Sequence, residues 1–176
     1  MKPPDISLVI PCHNEQDNLQ PLLSAIHAAL DPLGLDFEVV ITDDCSSDNS
    51  WTILKQLSAD DRRLHVQRFK FNCGESAASW AGMQIARGRY IATMDADLQN
   101  DPRDLTVLWG YLAHCDAAVG WRSRRRDGWV KRLSSRVANA VRRTVTGHAV
   151  HDSSCSLRLM RQECIVDLPR FGRHLG

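Results

Sequence analysis

The 176-residue chain is 43% apolar and 24% charged, with a net charge of +1, which fits one globular domain over residues 1–176 with a core of its own. No stretch approaches the ~18 apolar residues of a membrane span, and the short apolar run before Pro11 does not make a secretory signal. The six cysteines contain no CxxC pair and match no zinc spacing, so they read as reduced, small and partly buried side chains of a cytoplasmic protein.

In chain order, ISLVI (6–10) predicts the first strand. A helix follows, with Leu19, Leu22, Leu23, Ile26 and Leu30 on one face and Pro21 tolerable only in its first turn. FEVVIT (37–42) predicts a second strand, and the segment after SSDNS a second helix with Ile53, Leu54 and Leu57 inward. LHVQRF (64–69) is a third strand. The helix expected near 75–87 offers Ala78, Ala81 and Ile85, with Gly82 as a weak spot. YIATM (90–94) is a fourth strand. A fourth helix is expected to start with Asp101 as N-cap, Pro102 at N1 and Asp104 at N3, and to bury Leu105, Leu108 and Leu112. DAAVGW (116–121) reads as a fifth strand. Strand and helix alternating in this way predict an α/β fold with a mostly parallel, Rossmann-like sheet flanked by helices. Trp80, Trp109 and Trp121 read as core or rim packing.

In such sheets ligands bind beyond the carboxyl ends of the strands, so the strand exits hold the candidate site. They read Pro11-Cys12-His13-Asn14-Glu15, Asp43-Asp44-Cys45-Ser46, Asp95-Ala96-Asp97-Leu98-Gln99 and Gly120-Trp121-Arg122, and three of the four carry acids. No GxGxxG follows a strand and no GxxxxGK[ST] occurs, so a nucleotide would need its phosphates neutralised in another way. Asp95 and Asp97, two apart on an extended backbone, point to one side. They offer hard oxygen ligands for Mg²⁺ or Mn²⁺, to which Gln99 adds a carbonyl. The same D-x-D also reads as the cap of a turn.

Residues 122–143 hold nine Lys or Arg against the single acid Asp127. Projected on a helix, Trp129, Leu133, Val137, Ala140, Val141 and Val145 share a face beside stripes of Lys131, Ser135, Asn139 and Arg142 and of Arg132, Arg136 and Arg143. With Arg122, Arg124, Arg125 and Arg126 upstream, this segment suits a doubly charged phosphate. A solvated basic face is the plainer reading, and the lack of interleaved aromatics argues against nucleic acid.

LVIPCHNEQDNL, VVITDDCSSDNS, FNCGESAASWAGMQIARGRYIATMDADLQNDP, VGWRSRRRDGWVKRLSSRVAN and HDSSCSLRLMRQE follow one another across residues 8–163. In this order they resemble the inverting family-two glycosyltransferases of GT-A fold, above all the polyprenyl-phosphate branch that includes dolichyl-phosphate mannose synthase and the undecaprenyl-phosphate sugar transferases. The resemblance implies that Pro11, His13 and Glu15 contact the nucleotide, with His13 where the family has an aromatic, and that Thr42 and Asp44 serve the base and ribose side. Cys45 replaces the usual glycine of DDGS, so a positive φ there is expected to strain it. Asp95, Ala96, Asp97 and Gln99 match the metal and diphosphate motif, and Arg122 matches an arginine that reaches the donor diphosphate. Lys131 and Ser135 match residues that hold the acceptor phosphate, with Arg132 beside them. Asp152 and Arg158 match the late D-x-x-x-x-x-R segment, whose aspartate lies near the reaction centre. Relatives continue beyond a segment like RFGRHLG, so the resemblance also implies that the C-terminal part of the family pattern is missing.

The resemblance implies metal-dependent, inverting transfer of a sugar from a UDP- or GDP-linked donor to a polyprenyl phosphate at the inner face of the cytoplasmic membrane. Asp97, Arg122 and Asp152 are the expected catalytic residues, anionic lipid is an expected partner, and an oligomer is compatible with the pattern. A phosphate acceptor is already largely deprotonated at neutral pH and needs no general base. Two alternatives stay open: a saccharide hydroxyl as acceptor, with Asp152 as base, and a nucleotide-sugar-binding module without turnover.

Overall fold

The computed structural model describes residues 2–120 and 155–166. The chain divides into two compact units, Met1–Val119 with Ser156–Gly176, and Gly120–Cys155; the described elements all belong to the first. The expected helix at 129–146 and Trp121 lie outside the described residues.

Four strands fall on the apolar runs: β1 (Ile6–Cys12), β2 (Phe37–Asp43), β3 (Leu64–Arg68) and β4 (Tyr90–Thr93). The fifth, β5 (Ala117–Val119), is shorter than its run. A sixth, β6 (Arg158–Arg161), has no counterpart in the sequence reading. The order is β3-β2-β1-β4-β6-β5. β1 pairs in parallel with β2 and β4, and β2 with β3, whereas β6 runs antiparallel to both β4 and β5. The sheet is therefore mostly parallel, but β5 reaches β4 only through β6. In β1 and β2 even consecutive residues such as Leu8, Val9 and Ile10, or Val39, Val40 and Ile41, are fully buried, which is why both read as unbroken apolar runs.

Helix α1 (Leu19–Leu30) buries all five expected residues together with Ala29, and Pro21 lies in its first turn. Helix α2 (Ser50–Asp60) buries only Leu54 and Ser50. In α3 (Glu75–Ile85) the inward residues are Ala78 and Gly82, while Ile85 is 45% exposed, contrary to expectation. Gly82 is not a weak spot but a contact point: a Cβ there would meet Val9 Cγ1 at 2.6 Å and Thr42 Oγ1 at 3.3 Å. The bare backbone lets α3 lie directly on β1 and β2.

Helix α4 (Asp104–Tyr111) begins later than the expected Pro102. The Asp101 carboxylate accepts the Arg103 N–H (2.9 Å) and its carbonyl accepts that of Asp104 (2.9 Å), closing a separate capped turn ahead of the helix. The expected inward face holds, with Leu105, Leu108 and Leu112 buried. Trp80 packs on the cluster of Val9, Val40, Ala86, Ile91 and Ile165, and Trp109 meets Tyr90 edge to face at 5.0 Å. None of the six cysteines forms a disulfide; Cys12 and Cys155 are buried, but Cys73 and Cys115 are exposed.

The opposite end of the sheet is tied by Glu38. Ser7 Oγ donates to it (2.6 Å), as do the Arg87 N–H (2.7 Å) and guanidinium (2.6 and 2.9 Å). Burial alone would raise its pKa, yet these hydrogen bonds outweigh burial and hold it below 4.5. Its folded pKa is depressed, so the stabilisation it contributes is present above pH 4.5 and is lost as pH falls through the folded value. Glu38→Gln is expected to flatten the acid limb of the stability curve in urea titrations below that pH. Gly82→Ala is expected to cost about 1–3 kcal/mol in the same titrations at neutral pH, because Val9 cannot yield without repacking.

Candidate active site

β1, β2 and β4 end at the same edge of the sheet, and β1 lies between the other two. The chain proceeds from β1 to one side and returns to its other side as β4, which makes this edge a topological switch point. Three non-glycine residues with left-handed backbone lie just past these ends: Asn14 (φ 58°), Cys45 (φ 59°) and Leu98 (φ 61°). Cys45 takes the strained conformation that its place in a DDGS-like turn predicts. Asn14 offsets its own strain: Oδ1 accepts from Ser47 N–H (2.8 Å) and Asp48 N–H (3.3 Å), and its N–H donates to Ser46 Oγ (2.9 Å). Glu15 N–H donates to Ser50 Oγ (2.9 Å). The exits of β1 and β2 are thereby laced together.

Between the exits lies a cleft of about 260 Å³, lined by Pro11, Cys12, His13, Glu15, Asp44, Glu75, Asp95, Ala96 and Asp97. Seven of these are residues that the sequence singled out for the nucleotide and its diphosphate. Thr42 is not among them; it is fully buried and its Oγ1 accepts from Gln67 Nε2 (2.9 Å). Gln99 is exposed and outside the lining, and its N–H donates to Asp97 Oδ1 (3.1 Å). So the turn-capping reading of D-x-D holds for one oxygen of Asp97. Arg122, Lys131, Arg132, Ser135 and Asp152 lie outside the described residues.

Asp44 is buried, and both of its carboxylate oxygens are engaged: Oδ1 accepts Cys73 N–H (2.7 Å) and Oδ2 accepts Gly74 N–H (2.8 Å). Gly74, at φ 92°, directly precedes α3. Asp44 thus fastens the start of α3 and sets Glu75 at the cleft. His13 Nδ1 is 2.9 Å from the Asp44 carbonyl, which can only accept, so the contact selects the Nδ1–H tautomer. Cys12 is no nucleophile here: burial first, then the charges of Asp43 and Glu15, push its thiol up to about 12.

Glu75 escaped the sequence reading. Partial burial of its carboxyl, and after that the charges of Asp95 and Asp97, raise its pKa above the ordinary glutamate value, with Arg158 opposing. The available signal was an acid opening a helix straight after a strand-exit loop, a pattern shared with many helices that simply favour acids in the first turn. Ser156 escaped as well, although its hydroxyl donates to Asp95 Oδ2 (2.5 Å).

Five carboxylates line this cleft and no Lys or Arg does, among the described residues. Such a site is mismatched to any anion unless a cation enters with it. No group of three or more His, Cys, Asp or Glu side chains is arranged to hold a metal, among the described residues. Asp95 and Asp97 alone fit Mg²⁺ or Mn²⁺ in its usual manner, with one or two carboxylates and the remaining positions left to water and phosphate.

Comparison with known proteins follows the same lines. The family model described as Glycosyl transferase family 2 matches residues 7–168. Dodecaprenyl-phosphate galacturonate synthase of Rhizobium johnstonii is 36% identical over 172 residues, 96% of this chain and 51% of that protein. Undecaprenyl-phosphate 4-deoxy-4-formamido-L-arabinose transferase of Edwardsiella ictaluri is 36% identical over 162 residues, 91% of this chain and 50% of that protein. The chain therefore spans about half the length of these relatives. Among solved structures, the mannosyltransferase PcManGT of Pyrobaculum calidifontis, in complex with GDP-Man and Mn²⁺, superposes with a TM-score of 0.73 at 22% identity, covering 100% of this chain and 50% of that one. Glucosyl-3-phosphoglycerate synthase of Mycobacterium tuberculosis, in complex with Mn²⁺, UDP and glucosyl-3-phosphoglycerate, does so with a TM-score of 0.72 at 18% identity, covering 97% and 61%. The fold is GT-A-like.

Asp44→Ala would leave the Cys73 and Gly74 N–H groups without their charged acceptor. It is expected to cost about 1.5–3 kcal/mol in chemical denaturation of the ligand-free protein, an effect that a residue serving only to contact a ligand would not show.

Proposed function

The chain belongs to glycosyl transferase family 2, and on that premise we propose that it moves a sugar from a nucleoside diphosphate sugar to a polyprenyl phosphate, with inversion at the anomeric carbon. The observation that carries the reading is the acidic cleft at the switch point, which suits a diphosphate only when a divalent cation accompanies it. The names of the Rhizobium and Edwardsiella relatives, both polyprenyl-phosphate sugar transferases, support the acceptor. The solved relatives that hold Mn²⁺ with GDP-Man or UDP support the donor and the ion.

Pro11, His13 and Glu15 on one side and Asp44 on the other would bracket the nucleoside end of the donor. Asp95 and Asp97 would hold Mg²⁺ or Mn²⁺, whose charge neutralises the departing nucleoside diphosphate. The side chain of Gln99 would reach that site only after reorienting. Arg122 would add a further positive contact to the diphosphate. Lys131, Arg132 and Ser135 would position the acceptor phosphate. That acceptor, with a second pKa of about 6, is its own nucleophile, so its orientation matters more than a base. Asp152 would stand near the reaction centre. No helix among the described residues is long and apolar enough to cross a membrane. The basic segment 122–143 would instead meet anionic headgroups at the inner face of the cytoplasmic membrane.

Isothermal titration with UDP and GDP, with and without Mn²⁺, tests the donor side. Mn²⁺ is expected to tighten one of the two nucleotides by at least about tenfold, equivalent to 1.4 kcal/mol, and Asp97→Asn to abolish that gain. Nucleotide binding indifferent to Mn²⁺ would refute the proposal. On the acceptor side, radiolabelled sugar is expected to move into an organic phase only when polyprenyl phosphate is supplied.

A further inference from the structure

The strand that the sequence did not reveal brings an unforeseen group to the acidic pair. β6 lies antiparallel to β4, with Thr93 opposite Arg158. Two residues before Arg158, Ser156 meets the chain that leaves β4. Its carbonyl accepts from Thr93 Oγ1 (2.7 Å), its hydroxyl donates to Asp95 Oδ2 (2.5 Å), and the same hydroxyl accepts from Asn100 Nδ2 (2.7 Å). Asn100 is itself buried.

The directions in this chain are fixed by what each group can do. An amide Nδ2 can only donate, so Asn100 occupies a lone pair of the serine oxygen and leaves its single proton for Asp95. Asp97 is held in a parallel way, with Oδ1 on the Gln99 N–H. Each acid thus has one oxygen committed to its own protein. Such commitment fixes the rotamer, suits one-oxygen ligation of a hard cation, and spares the site the entropy of ordering two free carboxylates when the ion arrives.

We propose that Ser156, oriented by Asn100 and Thr93, is a positioning residue that presents Asp95 to the divalent ion, coupling the antiparallel edge of the sheet to donor binding. The proposal rests on the donor reading above, since it concerns the same ion.

The test is calorimetric titration of Mn²⁺ into the full chain saturated with UDP or GDP, whichever the wild type binds, for the wild type, Ser156→Ala, Ser156→Thr and Asn100→Leu. Melting temperature and metal-free nucleotide affinity are measured in parallel. Ser156→Ala is expected to weaken Mn²⁺ binding about 10- to 100-fold, in the range of lost outer-sphere partners, with Asn100→Leu intermediate and Ser156→Thr close to wild type. Ser156→Ala is expected to lower the melting temperature by a few degrees, because it leaves the buried Asn100 amide without its acceptor, while metal-free nucleotide affinity stays unchanged. The proposal is overturned if Ser156→Ala binds Mn²⁺ as the wild type does. It is also overturned if metal-free nucleotide affinity falls together with Mn²⁺ affinity, or if threonine rescues nothing. If Ser156→Ala fails to fold, wild-type Mn²⁺ affinity in Asn100→Leu is the overturning result. A wild type that binds nucleotide but no Mn²⁺ overturns the donor reading and this proposal together, whereas normal wild-type binding with an unaffected Ser156→Ala overturns this proposal alone.

Discussion

Mutual repulsion among carboxylates is the constraint around which this site is organised. Glu15, Asp44, Glu75, Asp95 and Asp97 converge on one cleft at the carboxyl edge of β1, β2 and β4, an arrangement the fold tolerates because several are held by donors from their own chain. Asp44 takes two backbone N–H groups, Asp95 a serine hydroxyl and Asp97 a backbone N–H. Partial burial of its carboxyl, and after it the remaining negative potential of Asp95 and Asp97, raises Glu75. A cleft of this kind stores an affinity for cations that is released only when one is brought in, and a diphosphate is a natural companion for such an ion.

The geometry is secured by strain as well as by charge. Left-handed turns at Asn14, Cys45 and Leu98 follow the three strands that feed the cleft, and a non-glycine residue in that region costs of order 1 kcal/mol or more. Asn14 recovers part of this through the donors of the neighbouring β2 exit. Cys45 Sγ donates to the Lys70 carbonyl (3.5 Å), and Cys45 and Leu98 directly follow Asp44 and Asp97, two of the acids that line the cleft. Rigid strands behind and over-determined turns in front leave little freedom to the side chains between them, as pre-organised binding requires.

Much of this was legible in the chain because the physics was local. The buried strands β1 and β2 announced themselves as apolar runs and β3 and β4 as shorter, half-buried ones, the rule of strand exits selected Pro11, His13, Glu15, Asp44 and the Asp95–Asp97 pair, and the family resemblance, with glycine where this chain has Cys45, pointed to the strained turn. Non-local features escaped. β6 reads RLMR, four residues with charges at both ends, and nothing in it says that it will pair with β4 across some sixty intervening residues. With β6 unseen, Ser156 was one more polar residue in a polar stretch. Gly82 looked like a helix defect until β1 was placed beneath it. Thr42, expected at the base, faces Gln67 within the sheet.

The claim that a divalent ion joins Asp95 and Asp97 to the diphosphate of a bound nucleotide is open to direct observation. In a crystal grown with Mn²⁺ and UDP or GDP, anomalous scattering at the manganese edge should give one peak about 2.0–2.2 Å from a carboxylate oxygen of the pair and from a phosphate oxygen, the spacing of hard octahedral ions. Nucleotide bound in the cleft with no such peak, or with both aspartates turned away from it, would contradict the account.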